Sequence, residues 1–283
     1  MTLGNLISTR KTQLAPVYGE GEASWMLRTI FESLKGWDRV ETAIRMNDEV
    51  SDYIVGKVDG IVARLLAGEP LQYILGETYW HGLKLKVTPD VLIPRPETSE
   101  LVDLIEDRNN ASDLAVLDLC TGSGCIAVAL ARALPFSRVT AVDVSRPALA
   151  VAMENARGCK ARVDFVEADV LRPLPFGDGS FDIIVSNPPY IAESEKADME
   201  RNVLDHEPSI ALFVPDADPL RFYTPIAREG MRIARAGGQL WFEINPIYAD
   251  DVRRMMAAEG WEDVTILPDS SGKKRFAFGR KRR

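Results

Sequence analysis

The sequence predicts an α/β protein: a seven-stranded doubly wound sheet with its last strand antiparallel, joined to a small N-terminal helical domain. Three observations carry this. Apolar residues recur at helical spacing through roughly the first 70 positions. From about residue 94 onward, strand-like and helix-like patterns alternate. The last two strand-like runs are separated only by a turn, too short for a crossover helix, so the final strand must run back against its neighbour.

In the N-terminal part, Trp25, Met26, Ile30, Phe31 and Leu34 form one helical stripe, and Ile54, Val58, Ile61, Val62, Leu65 and Leu66 form another. Gly36 and Gly68-Glu69-Pro70 act as stop signals. These apolar positions are expected in the core and carry no chemistry. The pattern changes at 71–76. The aromatic, alternating run 77–87, with His81-Gly82 inside it, predicts a β-hairpin between two domains. The expected division is a helical docking domain over 1–74, a hairpin linker over 75–93 and the α/β domain over 94–283. Its strands are expected at 115–119, 138–143, 162–166, 181–186, 238–244, 264–267 and 275–279, with Asp269-Ser270-Ser271-Gly272 supplying the last turn.

Composition narrows the function classes. Hydrophobic residues make up 46% and charged residues 27%, an ordinary balance for a globular protein. The formal net charge of −8 gives no general attraction to nucleic acid. The basic ending, Lys273-Lys274-Arg275 and Arg280-Lys281-Arg282-Arg283, reads as a solvated flank of the last strand. Three cysteines, Cys120, Cys125 and Cys159, form no CxxC pair, which argues against a disulfide framework and a zinc site. With only His81 and His206 available, no histidine-rich metal centre is expected. Cys120 and Cys125 fit as small packing residues around a turn. No apolar run approaches a membrane span and no secretory signal is evident, so the cytoplasm is the expected compartment.

The most informative stretch is Asn187-Pro188-Pro189-Tyr190, directly after the buried strand pattern 181–186. Ligands in open α/β sheets collect outside the carboxyl ends of the strands. The prolines fix the backbone and remove two N–H donors, and Asn187 before a proline is held extended. A stiff array of acceptors results, with an aromatic face beside it. It suits a planar –NH2 group, whose hydrogens Asn187 Oδ1 and the Pro188 carbonyl would hold while Tyr190 stacks on its plane.

A second constellation lies after the first strand, in Cys120-Thr121-Gly122-Ser123-Gly124. Glycines there permit positive φ and close ligand approach. Asp143, about 20 residues further on, is placed to accept ribose hydroxyls. The nucleoside stays open at this point, because Gly122-x-Gly124-x-x-Ala127 also fits a loose dinucleotide fingerprint. Asp118 either stabilises a cationic cofactor group or caps the loop amides. Asp169 is placed to meet an adenine amino group. Together these acids favour a positively charged ligand, such as a sulfonium with its ammonium group, over a pyrophosphate.

With these residues in view, the chain resembles the bacterial protein-(glutamine-N5) methyltransferases that act on peptide chain release factors. The resemblance spans nearly the whole sequence. Gly68-Glu69-Pro70-Leu71-Gln72-Tyr73-Ile74-Leu75-Gly76 is similar to the family's interdomain segment, and Val91-Leu92-Ile93-Pro94-Arg95-Pro96-Glu97-Thr98 to its most distinctive motif. Residues 116–124 resemble its cofactor loop, with Cys120 where glycine is more usual, and Val185–Ile191 its active-site motif in full. Asn245 stands where the family usually has glycine, Val170 where some members have an aromatic, and Phe213-Val214-Pro215-Asp216 replaces a more glycine-rich loop.

The resemblance implies the seven-stranded, Rossmann-like fold of S-adenosylmethionine-dependent methyltransferases. It implies methyl transfer from S-adenosyl-L-methionine to the glutamine of a Gly-Gly-Gln motif in a release factor, with no direct nucleic acid, no membrane, no metal and a monomeric enzyme. Residue by residue, Cys120, Thr121, Gly122, Ser123, Gly124, Asp143, Asp169, Val170 and Asn187 would contact the cofactor. Asn187, Pro188, Pro189 and Tyr190 would bind the glutamine, with Asn187 and Pro188 catalytic. The alternative is methylation of adenine N6 or guanine N2 in nucleic acid, which the same tetrapeptide serves, but no added recognition domain or broad basic face accompanies it. An NAD-dependent oxidoreductase would leave 187–190 and Asp169 without a role, and a non-catalytic cofactor sensor is the third reading.

Overall fold

The computed structural model describes residues 1–283, which fall into two compact units. The first comprises Met1–Gly76 together with Glu200–His206, the second Glu77–Met199 together with Glu207–Arg283. The hairpin predicted as a linker thus groups with the second unit.

The first unit is helical: α1 (Leu3–Tyr18), α2 (Glu20–Lys35), α3 (Arg39–Ile44), α4 (Asp52–Leu66) and α5 (Leu71–Leu75). Gly36 ends α2 in the left-handed region at φ 70°, where its amide donates to the Glu32 carbonyl, as the sequence predicts. Asp38 and Glu41 form a reciprocal capping box that starts α3. The core holds Leu3, Leu6, Leu14, Ile30, Phe31, Val58 and Leu65. Trp25 and Leu66, expected inside, are 40% and 45% exposed. Both sit at the margin of their apolar stripe, where the helix surface turns to solvent. The short α5 occupies 71–75 and stops at Gly76, φ 73°.

In the second unit, β1 (Glu77–Trp80) and β2 (Leu83–Lys86) form the predicted hairpin, with Trp80 opposite Leu83 and a two-residue turn at His81-Gly82. Both turn residues have positive φ, 48° and 69°, the geometry that matches the twist of two adjoining strands. The chain continues through α6 (Pro96–Arg108), β3 (Ala115–Leu119), α7 (Cys125–Ala133), β4 (Arg138–Asp143), α8 (Arg146–Gly158), β5 (Val163–Glu167) and β6 (Phe181–Ser186). There follow β7 (Ile191–Ala192), α9 (Arg201–His206, part of the first unit), β8 (Phe213–Val214) and α10 (Tyr223–Ile233). The chain closes with β9 (Ala234–Glu243), α11 (Ala249–Ala258), β10 (Glu262–Pro268) and β11 (Lys274–Arg280).

Seven strands make one sheet in the order β10-β11-β9-β6-β3-β4-β5. β11 is antiparallel to both its neighbours, and the pairs β9–β6, β6–β3, β3–β4 and β4–β5 are parallel, so the predicted fold class holds. Alternate residues feed two apolar layers. Val116 packs with Leu101, Ile105 and Ile126 from α6 and α7, whereas Leu117 and Leu119 pack with Ile226, Val252 and Met256 from α10 and α11. Each fully buried Leu or Ile is worth about 1.5–3 kcal/mol, which explains why the central strands read as nearly continuous apolar runs. A small parallel ladder, β7 with β8, was not anticipated; two residues on each side carry no periodicity to read.

Candidate active site

The sheet register assembles the site. Leu119 pairs with Ser186 on one side and with Val142 on the other. Cys120, Asn187 and Asp143 therefore leave three adjacent strands together, at the carboxyl edge where β3 sits centrally.

The loop after β3 is built on left-handed residues: Cys120 at φ 60°, Gly122 at 53° and Gly124 at 78°. Two acids hold it. Asp143 Oδ2 accepts the Gly122 amide at 2.9 Å, and its Oδ1 accepts the Ser145 amide at 2.9 Å. Asp118, fully buried, accepts the Thr121 hydroxyl at 2.5 Å and the Ala127 amide at 3.2 Å, both through Oδ2. Its Oδ1 has no partner, and burial pushes its carboxyl up to about 7. Of the two roles open to Asp118, the structure has the loop cap. Burial likewise raises the Asp143 carboxyl, opposed by the backbone amides it accepts.

A cavity of about 280 Å³ opens above this loop. Its wall includes Cys120, Thr121, Gly122, Ser123, Asp143, Asp169, Val170, Asn187 and Pro189 from among the sequence-predicted residues. Gly124, Pro188 and Tyr190 are not on it. Gly124 serves packing: a Cβ there would lie 2.9 Å from Ala152 Cβ on α8. Tyr190 is turned to Glu243, donating its hydroxyl to Oε1 at 3.0 Å, and burial raises its phenol above the ordinary range.

The cavity fits a nucleoside ligand on two counts. Asp143 uses one lone pair of each oxygen on backbone amides and keeps others for hydroxyl donors on the cavity side. A Cβ built at Gly122 would meet no atom within 4 Å, so the glycine keeps open the space a ligand needs against the loop. Asp143 and Asp169 on the same wall favour a cationic group.

At the β6 edge of the cavity, Asn187 Nδ2 donates to Thr98 Oγ1 at 3.3 Å, and Thr98 donates on to Glu243 Oε2 at 2.6 Å. Asn187 Oδ1 accepts no hydrogen bond from the protein, and the Pro188 carbonyl accepts none from the backbone. These are the two oxygens that the sequence assigns to an amide substrate.

Several residues that build the site were not singled out for it. Thr98 and Arg95 lie on the cavity wall within a motif quoted only for its resemblance. Arg95 pairs with Glu207, 2.6 Å away and almost wholly buried, which also accepts the Ile93 amide. Asn155, buried on α8, donates to the Ser123 carbonyl at 2.8 Å and accepts the Lys86 amide at 2.6 Å, tying the loop to β2. A signal existed for Glu243 alone: a carboxylate closing the apolar run Leu240-Trp241-Phe242 must be buried and therefore partnered.

Comparison with known proteins agrees with this geometry. A family model for a methyltransferase domain matches residues 116–206, and one for the PrmC N-terminal domain matches residues 11–76. A release factor glutamine methyltransferase of Bacteroides thetaiotaomicron is 43% identical over 266 residues, covering 94% of this chain and 95% of that protein. One of Flavobacterium psychrophilum is 37% identical over 279 residues, covering 96% and 98%. Among solved structures, a methyltransferase from Pyrococcus furiosus shares the fold, with TM-score 0.53 and 16% identity over 78% of this chain and 98% of that one. Extended identity on both sides of the hairpin, over nearly all of both chains, settles the membership: the chain belongs to the release factor glutamine methyltransferase family.

Proposed function

We propose that this protein transfers a methyl group from S-adenosylmethionine to the side-chain amide nitrogen, N5, of the glutamine in the Gly-Gly-Gln motif of a peptide chain release factor. The observation that carries the reading is the free Asn187 amide oxygen on the wall of a cavity whose glycine loop and Asp143 suit a nucleoside, with the unbonded Pro188 carbonyl next to it in the chain. The same reading has the enzyme act as a monomer in the cytoplasm, on protein rather than nucleic acid, in keeping with its net charge of −8. No helix is long and apolar enough to cross a membrane.

S-adenosylmethionine, when bound, supplies an electrophilic methyl carbon on a sulfonium. The residues that would hold it are the 120–124 loop, Asp143 at the ribose, and Asp169 with Val170 at the base. Asn187 Oδ1 and the Pro188 carbonyl each accept one N–H of the substrate amide. A carboxamide nitrogen is a poor nucleophile because its lone pair is delocalised into the carbonyl. Two acceptors on its hydrogens raise electron density on nitrogen and fix the direction of its lone pair, and positioning of this kind is a major source of rate. On transfer the amide nitrogen would gain the methyl carbon as the carbon–sulfur bond breaks with its electron pair left on sulfur, giving a neutral thioether, and the nitrogen would release one proton to solvent, so no strong base is needed in the wall. Pro189 keeps the turn rigid, and Tyr190, anchored on Glu243, holds the far side of the tetrapeptide.

The test is incubation of the protein with a release factor and S-adenosylmethionine, followed by peptide mass spectrometry. One added methyl on the Gly-Gly-Gln glutamine is expected. An unmodified glutamine, with a release factor whose motif is intact, would overturn the proposal.

A further inference from the structure

We propose that Glu243 and Thr98 are positioning residues that decide which way the Asn187 amide faces, a proposal that rests on the function just given for this site. An asparagine amide has two nearly isosteric ends, one that accepts and one that donates. Only one orientation serves a carboxamide substrate. Its nitrogen presents two N–H groups, so Asn187 must present oxygen; turned by half, it would set donor against donor.

The structure contains a device that selects the oxygen. Glu243 ends β9, one residue beyond the Phe242–Ser186 pair, and is 1% exposed. Burial raises its carboxyl, and the Thr98 and Tyr190 hydroxyls with the nearby Arg275 charge oppose that shift and favour the carboxylate, which has no proton to give. Its Oε2 therefore takes the single hydroxyl proton of Thr98, at 2.6 Å, which leaves Thr98 Oγ1 with only lone pairs toward Asn187. The Asn187 end that meets those lone pairs, at 3.3 Å, has to be Nδ2. Polarity runs one way, from Asn187 to Thr98 to Glu243, and Oδ1 is left for the cavity. The other carboxylate oxygen takes the Tyr190 hydroxyl at 3.0 Å, so a single buried acid anchors both ends of 187–190. Glu243 is itself held in place where the Tyr223 hydroxyl reaches its carbonyl, at 3.1 Å.

The experiment compares Thr98→Val and Thr98→Ser in the full-length protein. It measures release-factor methylation, S-adenosylmethionine binding by calorimetry, and melting temperature. Valine keeps the shape and removes the hydroxyl; serine keeps the hydroxyl and removes the methyl. The expected result is a fall in kcat of roughly tenfold or more for Thr98→Val, the scale of one lost orienting hydrogen bond, with cofactor affinity within about twofold. Thr98→Ser should recover most of the rate. In an Asn187→Ala background, Thr98→Val should cost nothing further, since there is no amide left to orient.

Wild-type turnover by Thr98→Val would overturn the proposal, as would a Thr98→Ser variant as slow as the valine. A full further loss in the Asn187→Ala background would also overturn it, because Thr98 would then act on substrate directly. Failure of the wild-type protein to methylate release factor would remove the function itself, and the positioning role with it.

Discussion

The Asp143 carboxylate receives the Gly122 amide at 2.9 Å, so the acid that faces the nucleoside cavity also frames the loop on the other side of it. Asp143→Ala should therefore weaken S-adenosylmethionine binding through two losses, the proposed ribose acceptor and the set of the loop. Hydrogen bonds to a charged group are worth about 1.5–3 kcal/mol each, so a Kd increase of roughly tenfold to a hundredfold is expected by calorimetry.

The two loop glycines should fail differently. Gly122→Ala places its Cβ in open space and costs no packing, so beside weakened cofactor binding it carries only the left-handed backbone penalty at φ 53°, about 1–2 kcal/mol. Gly124→Ala drives a Cβ to 2.9 Å from Ala152 Cβ and 3.2 Å from Ala152 Cα, at φ 78°. Overpacking of this kind costs about 1–3 kcal/mol and the left-handed backbone adds to it. Thermal melts without ligand should show Gly124→Ala clearly below Gly122→Ala.

Cys120 holds a left-handed backbone, φ 60°, a conformation that favours glycine. A side chain there costs about 1–2 kcal/mol. Cys120→Gly should raise the melting temperature by about 2 °C, with part of the gain lost to chain entropy and thinner packing. Cys120→Val, β-branched, should lower it.

Asp118 predicts a pH dependence. Its carboxyl titrates near 7 in the folded protein and near 3.8 unfolded. With the folded value raised, the neutral acid favours the native state. That contribution is complete below the unfolded pKa and is lost as pH rises toward 7. Asp118→Asn carries no such term. Between about pH 5 and about pH 8 its stability should gain on that of the wild type by about 3 kcal/mol, read from denaturant unfolding without ligand. A constant difference across this range would show that Asp118 keeps an ordinary pKa.

Asn187→Ala removes the proposed amide acceptor and leaves the 120–124 loop intact. Methyl transfer should drop by roughly a hundredfold, comparable to the loss of one preorganised polar group, while cofactor affinity changes only a few-fold. Tritium transfer measured beside a binding titration checks it; turnover near wild type would rule out Asn187 as the amide acceptor.

Much of this protein could be read from its residues. Apolar patterning located every strand of the main sheet, most clearly the central ones, which are buried on both faces and carry β-branched runs such as Ile183–Val185. The antiparallel final strand followed from a turn too short to cross over. Glycines and prolines marked the loop at 120–124 and the tetrapeptide at 187–190, since backbone constraints of that kind are written locally. Contacts between distant residues were not legible. Glu243 lies 145 positions from Thr98 and 53 from Tyr190; the β6–β9 register sets it beside the tetrapeptide, and α6 supplies Thr98. The same holds for Gly124, whose neighbour Ala152 arrives from the next helix, and for Tyr190, whose hydroxyl finds a buried acid. A hydrogen bond or a steric contact depends on separation in space, and no periodicity in the chain records which remote side chain will close that distance.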